Sequence, residues 1–213
     1  MANVQDLGRM GYLPAWEVQR HIQAEVQAGL CDDTILFVEH PAVLTLGASF
    51  REENLLLTRE QYIARAIEVH RTDRGGDVTF HGLNQLVIYP IFDIRRYGKD
   101  LHKWLRDLEE AIIRVCSSFG LTGERSDVNT GVWIADKKVA AIGIKVSKWV
   151  SIHGIALNCN NDLSPFNLIV PCGIRTHGVT SLSAEAGCNI SIDDAKPRVI
   201  EAFENVFGLS IHR

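Results

Sequence analysis

No run of this chain is apolar for long enough to cross a bilayer. Its first residues, Met1-Ala2-Asn3-Val4-Gln5-Asp6, carry neither a basic patch leading into an apolar run nor an arginine-rich, acid-poor stretch. A secretory leader or transit peptide is therefore not expected, and the cytoplasm is the default. No P-loop and no Gly-x-Gly-x-x-Gly turn occurs, so nothing looks like a nucleotide phosphate cradle. Positive charge is not in excess either. The 22 Lys and Arg stand against 26 Asp and Glu, a net charge of −4, which argues against a general nucleic-acid binder. Cysteine is scarce and odd in number: Cys31, Cys116, Cys159, Cys172 and Cys188, with no Cys-x-x-Cys spacing. Neither a disulfide framework nor a zinc knuckle fits, and no metal is expected. The plain expectation is five reduced thiols, mostly buried, with Cys116 in a helix core.

What is present is an ordinary globular composition: 213 residues, 46% apolar and 23% charged. One domain spanning 1–213 is expected, without repeats or linkers. Periodicity predicts helices over 14–28, 100–119 and 194–207. In the second, Leu101, Leu105, Leu108, Ile112, Val115 and Phe119 form the apolar stripe, and Gly120 ends it. Strands are expected over 34–38, 43–46, 67–69 and 151–158, and over 85–89, where Pro90 marks the end. Thr58 and Gln61 have the spacing of a capping box. Residues 131–134 and 139–146, joined by a polar turn, read as a hairpin. The class is α/β or α+β with a mixed sheet.

Four segments carry candidate chemistry. In Arg74-Gly75-Gly76-Asp77-Val78-Thr79-Phe80-His81-Gly82, the paired glycines allow close backbone approach to a ligand. Taken alone, a tight turn explains them best. Thr79 and His81 would share one face of an extended segment, opposite Val78 and Phe80. In Lys138-Val139-Ala140-Ala141-Ile142-Gly143-Ile144-Lys145, small residues leave space above a sheet for something thin, such as an acyl chain, or for a closely packed helix. A lysine there, partly desolvated beside a thiol, could serve as a base. Ser151 to Asn158 contains His153-Gly154, one of three His-Gly pairs with His81 and His177, a weak hint of a shared cleft. Last, Cys172 lies between Pro171 and Gly173, a setting that suits either a buried thiol or one displayed at a loop tip.

Arg74-Gly75-Gly76-x-Val78-Thr79-Phe80-His81-Gly82-x-x-Gln85-Leu86-Val87 resembles the substrate-binding signature of the lipoate-protein ligase B family of octanoyl-[acyl-carrier-protein]:protein N-octanoyltransferases. The segments 138–143, 153–158 and 171–174, and Glu39-His40-Pro41 before Thr45-Leu46-Gly47, resemble its other motifs in the same order. The resemblance runs from about residue 34 to 183. It implies a biotin and lipoate ligase-like fold, a central mixed sheet flanked by helices. It implies Cys172 as a nucleophile carrying octanoyl as a thioester, with Lys138 as its partner; Lys145 does not match the family's lysine. The acyl pocket would use Arg74, Gly75, Gly76, Asp77, Val78, Thr79, Phe80, His81, Ala141, Ile142, Gly143, Gly154, Ile155 and Ala156. The donor would be octanoyl-acyl carrier protein. The acceptors would be lipoyl domains of 2-oxoacid dehydrogenase complexes and the glycine cleavage H protein. No cofactor, nucleic acid or membrane is implied, and a monomer is expected. A basic patch around Lys145, Lys148 and Arg175 is the candidate docking face for an acidic carrier. Leu83-Asn84 replaces the family's usual Pro-Gly, which puts the local turn in question. Rival readings are an ATP-dependent lipoate or biotin ligase, an amidotransferase between lipoyl domains, and a non-catalytic acyl-binding module.

Overall fold

The computed structural model describes residues 1–127, 129–170 and 178–212. In chain order the elements are β1 (Ala2–Arg9), α1 (Tyr12–Ala28), β2 (Asp33–Glu39), β3 (Val43–Leu46), α2 (Arg59–Ile63), β4 (Glu68–Arg71), β5 (Val78–His81), β6 (Gln85–Ile91), α3 (Leu101–Ser118), β7 (Gly131–Ile134), β8 (Lys137–Ser147), β9 (Val150–Asn158), β10 (Gly178–Val179), α4 (Leu182–Ala186), α5 (Ile192–Phe207) and β11 (Ile211–His212). A large mixed sheet runs β10-β8-β9-β6-β2-β1-β11, with β7 also paired to β8. A small sheet, β4-β3-β5, stands apart from it. This is the expected α+β architecture.

Two apolar clusters lie on the two faces of the large sheet. On one, α3 and α5 press Trp104, Leu108, Ile112, Val115, Val199 and Phe203 onto Leu86, Ile88, Val139, Ala140, Ile155 and Leu157. Each such side chain contributes roughly 1.5–3 kcal/mol by leaving water. On the other, α1 places Ala15, Ile22 and Val26 against Leu36, Val87, Tyr89 and Ala156. A third cluster packs the small sheet on residues 163–169.

The helix boundaries follow local chemistry. Asp100 caps α3 by accepting from the amides of His102 and Lys103, and Gly120 follows it at φ +75°. Thr58 and Gln61 do form a capping box on α2. The stripe of α3 departs from expectation: Leu101 is exposed and Trp104 takes the inward place, because the helix begins only at Leu101 and the wider indole fills the gap. β6 also runs through Pro90 to Ile91 rather than ending before it. Pro90 is tolerated because its ring faces β9 where the β6–β9 ladder stops, its last pair being Ile88↔Ile155. There β9 bends, with His153 at φ +57° and Gly154 at φ +155°. Among the described residues no helix is long and apolar enough to cross a membrane.

Candidate acyl-binding site

A cleft enclosing about 540 Å³, its open mouth included, lies on the α1 side of the large sheet, under β5. Its floor follows the β8–β9–β6 register in rows. Ala141, Ala156 and Val87 stand in one row. Gly143 and Gly154 form the next, with Tyr89 on β6 beside them. The roof is Gly75, Gly76, Asp77, Thr79 and His81. Alanine and glycine keep the floor low.

The roof loop is held by Arg74, which is buried. Its guanidinium donates to Thr45 O at 2.6 Å, Thr45 Oγ1 at 2.9 Å and Asp77 O at 2.7 Å. Gly75 N donates to Ile144 O at 2.8 Å, docking the loop onto β8. A side chain at Gly143 would come within 2.8 Å of Gly75 O, and one at Gly47 within 2.2 Å of Gly76 O. These glycines let three backbone segments touch. Asp77 accepts from Val78 N at 2.7 Å and from Asn54 Nδ2. Arg74 and Asp77 therefore shape the cleft.

Strand alternation works as expected at β5. Thr79 and His81 line the cleft, whereas Val78 and Phe80 are buried with Leu44, Leu46 and Phe166 in the third cluster. Ile142 and Ile155 pack their side chains toward α3 and α5, so what they offer the cleft is backbone.

Lys138 reaches the cleft through an irregularity. Val132 pairs with Ala140, but Trp133 pairs with Lys138, leaving Val139 as one extra residue in β8. Val139 and Ala140 then both enter the helix-side core, and Lys138 turns to the cleft face with Ala141. Lys138 is 8% exposed. Its Nζ donates to Thr130 O at 3.2 Å and lies 4.8 Å from the centre of the Trp133 ring. Lys145 is exposed, and Lys148 sits in the β8–β9 turn, about 30 Å along the strand from Lys138 at the usual rise per residue. The Lys145–Lys148 patch thus stands at the opposite end of β8 from the buried lysine.

Pro171, Cys172, Gly173, Ile174, Arg175 and His177 lie outside the described residues. Their flanks are described: Val170 N donates to Asn54 O at 2.9 Å, and Gly178 and Val179 pair with Lys137 and Lys138. Among the other cysteines, Cys116 and Cys159 are buried, and burial pushes both thiols up to about 12, making them inert. Cys188 is exposed and Cys31 partly so.

Sequence reasoning missed the polar-aromatic wall. Tyr12 and Tyr89 join the lining around the His153 that the His-Gly pairs singled out, as do Asn129 and Thr130 near Lys138. His40 Nδ1 lies 2.7 Å from Met10 O, which can only accept, so Nε2 accepts from Tyr89 Oη at 2.8 Å. His153 Nε2 meets Asp73 Oδ1 at 2.8 Å, and its amide is held by Gln19 Oε1 at 2.8 Å. Burial holds His40 and His153 down to about 4 and His81 to about 3, and the Tyr12 phenol up to about 12. These rings are neutral near pH 7. His81 and His153 do share the cleft. His81 also begins a buried chain: Nδ1 to Gln85 Oε1 at 2.9 Å, Gln85 Nε2 to Asn158 Oδ1 at 2.9 Å, and Asn158 Nδ2 to Thr180 O at 2.9 Å. Thr180 N closes it on Lys138 O at 2.9 Å.

The Gly82–Gln85 turn resolves the Leu83-Asn84 question. Gln85 N donates to Gly82 O at 3.3 Å, and Asn84 has φ +64° while Leu83 does not go positive. This is the pattern of a type II turn, in which Pro-Gly and Leu-Asn are both workable at the two central positions.

A small-residue floor, a glycine-built roof and a buried amine at one end make up the candidate site. Residues 11–204 match the family described as the lipoyl protein ligase A/B catalytic domain, and the chain belongs to that family. It is 44% identical over 209 residues to a protein named octanoyltransferase from Chloroflexus aggregans, covering 97% of this chain and 95% of that one. Among solved structures it is similar in fold to a bi-partite lipoate protein ligase from Thermoplasma acidophilum, with a TM-score of 0.74 and 15% identity over 100% and 85% of the two chains. It is also similar to the biotin protein ligase from Aquifex aeolicus in complex with biotin and ATP, with a TM-score of 0.57 and 14% identity over 97% and 70%.

Proposed function

We propose that this chain is an acyltransferase of protein lipoylation. It moves an octanoyl group from octanoyl-acyl carrier protein to a lysine of a lipoyl domain, working as a single catalytic domain in the cytoplasm. The observation that carries this reading is the buried Lys138 in a cleft floored by alanine and glycine, beside the strand that follows the Cys172 segment.

The Cys172 thiolate attacks the donor's thioester carbonyl, and the carrier thiol leaves with a proton. This exchange of one thioester for another requires no separate activation of the acid. The acceptor amine then attacks the octanoyl-cysteine carbonyl and gives up a proton, the amide forms, and the thiolate is released. Lys138 takes a proton at each attack, so it and the thiol titrate as a pair. The low floor at Ala141, Gly143, Gly154 and Ala156 holds the acyl chain, and the neutral wall of Tyr12, His81 and His153 keeps a charge away from it.

Incubation with octanoyl-acyl carrier protein, followed by intact-protein mass spectrometry, tests the reading. One added octanoyl group, absent from Cys172→Ala, is expected without ATP. Undiminished transfer by Cys172→Ala, or strict dependence on ATP, would point instead to a ligase.

A further inference from the structure

We propose that Glu109 is a positioning residue that fixes the Lys138 ammonium through one shared peptide group; this rests on the reading that Lys138 serves the transfer. Glu109 lies on the inward face of α3 with no exposure at all, among Trp104, Leu108 and Ile112. A carboxylate in such a place is costly unless every oxygen is occupied. Both are. Oε1 accepts from Gly131 N at 3.0 Å, and Oε2 accepts from Arg106 Nη1 at 2.8 Å, with Arg125 Nε 3.4 Å away.

The N–H of Gly131 belongs to the same peptide unit as the carbonyl of Thr130. That carbonyl accepts from Lys138 Nζ. One flat amide therefore has a buried carboxylate on its donor end and an ammonium on its acceptor end. A carboxylate at the N–H polarises the amide and strengthens its carbonyl as an acceptor, and the low-dielectric surroundings amplify this. Gly131 completes the fit. A side chain there, at φ +144°, would stand 2.5 Å from Ala140 O and 3.2 Å from Lys138 Cε. The bare backbone thus packs along the lysine stem, and α3 dictates where the amine sits.

Glu109→Asp keeps the charge for both arginines and withdraws the oxygen from Gly131 by one methylene. Octanoyl transfer from carrier protein should fall about tenfold or more in kcat at unchanged KM, the cost of a misplaced group. Lys138 labelling by an amine-reactive reagent, read by peptide mass spectrometry, should rise several-fold as the amine loses its tether. Glu109→Gln carries the same two readouts where the aspartate variant does not fold. Unchanged labelling, or faster labelling with full transfer activity, overturns the proposal. Lys138→Met separates the two levels. If it transfers at the wild-type rate, the reading of Lys138 as a base fails, while the labelling comparison still decides whether Glu109 holds the amine.

Discussion

Gly143 and Gly154 face each other across the β8–β9 ladder, and neither has room for a methyl group. The reasons differ. A side chain at Gly154 would meet Ile88 O at 2.3 Å and Pro90 Cδ at 2.6 Å inside the sheet, at a φ unfavourable to any other residue. Gly154→Ala is expected to destabilise by about 1–3 kcal/mol. Thermal unfolding should then fall by roughly 3–10 °C. At Gly143 the collision is with the cleft roof, at Gly75 O, rather than with the sheet itself. Gly143→Ala should chiefly raise KM for the octanoyl donor, and equal losses in melting temperature for the two variants would contradict this division.

Removing the amine while keeping the stem isolates its chemistry. Lys138→Met should retain the fold, since Trp133 and Gly131 pack on the methylenes. Transfer should fall by about 10²–10⁴-fold, the usual share of a proton-transfer group. Circular dichroism and single-turnover acyl transfer, measured together, check both halves.

The three buried histidines give stability a pH dependence of known sign. His40, His81 and His153 are held near 4, 3 and 4, below the value of about 6.5 for an exposed imidazole. The unfolded chain therefore binds more protons than the folded one between about pH 6.5 and 4. Their stabilising effect is complete above 6.5 and is lost as pH falls through this window, by up to about 1.4 kcal/mol per pH unit for each histidine. Denaturant midpoints measured from pH 7 to 4.5 should show the slope, and His40→Gln should flatten it. A flat wild-type profile would contradict the assignment of neutral, buried rings.

The turn at Leu83-Asn84 predicts its own substitutions. Asn84 tolerates its left-handed backbone better than most residues, but glycine tolerates it best. Asn84→Gly should be neutral or slightly stabilising. Asn84→Val should cost roughly 1–2 kcal/mol, read as a lower urea midpoint.

Much of this architecture is legible along the chain, because its signals are local. The caps of α2 and α3, the β7–β8 hairpin and the amphipathic α5 all depend on residues a few positions apart. Arg74 to Asp77, Thr79, His81 and the 141–143 and 154–156 segments line one cleft, whereas Val78 and Phe80, expected there too, turn into the core of the small sheet because strand alternation points them away. What stayed hidden is set by distant partners. Gln19 and Gln23 sit like surface residues in the helical pattern, yet they turn inward to bind His153 N and Val150 O. Tyr12 enters the cleft only because α1 crosses the sheet there. β1 gives little signal of its own, since β2 on one side and β11 on the other hold it in place. Glu109 looks like one more charge on an amphipathic helix until Gly131 is seen beside it.

The odd residue in β8 has a further consequence. Which side of the sheet the amine occupies is decided by counting positions, not by any attraction between the amine and its surroundings. Deleting Val139 would restore strict alternation with the nitrogen still in the cleft, whereas a regular ladder through the present sequence would turn it into the oil beneath the helices.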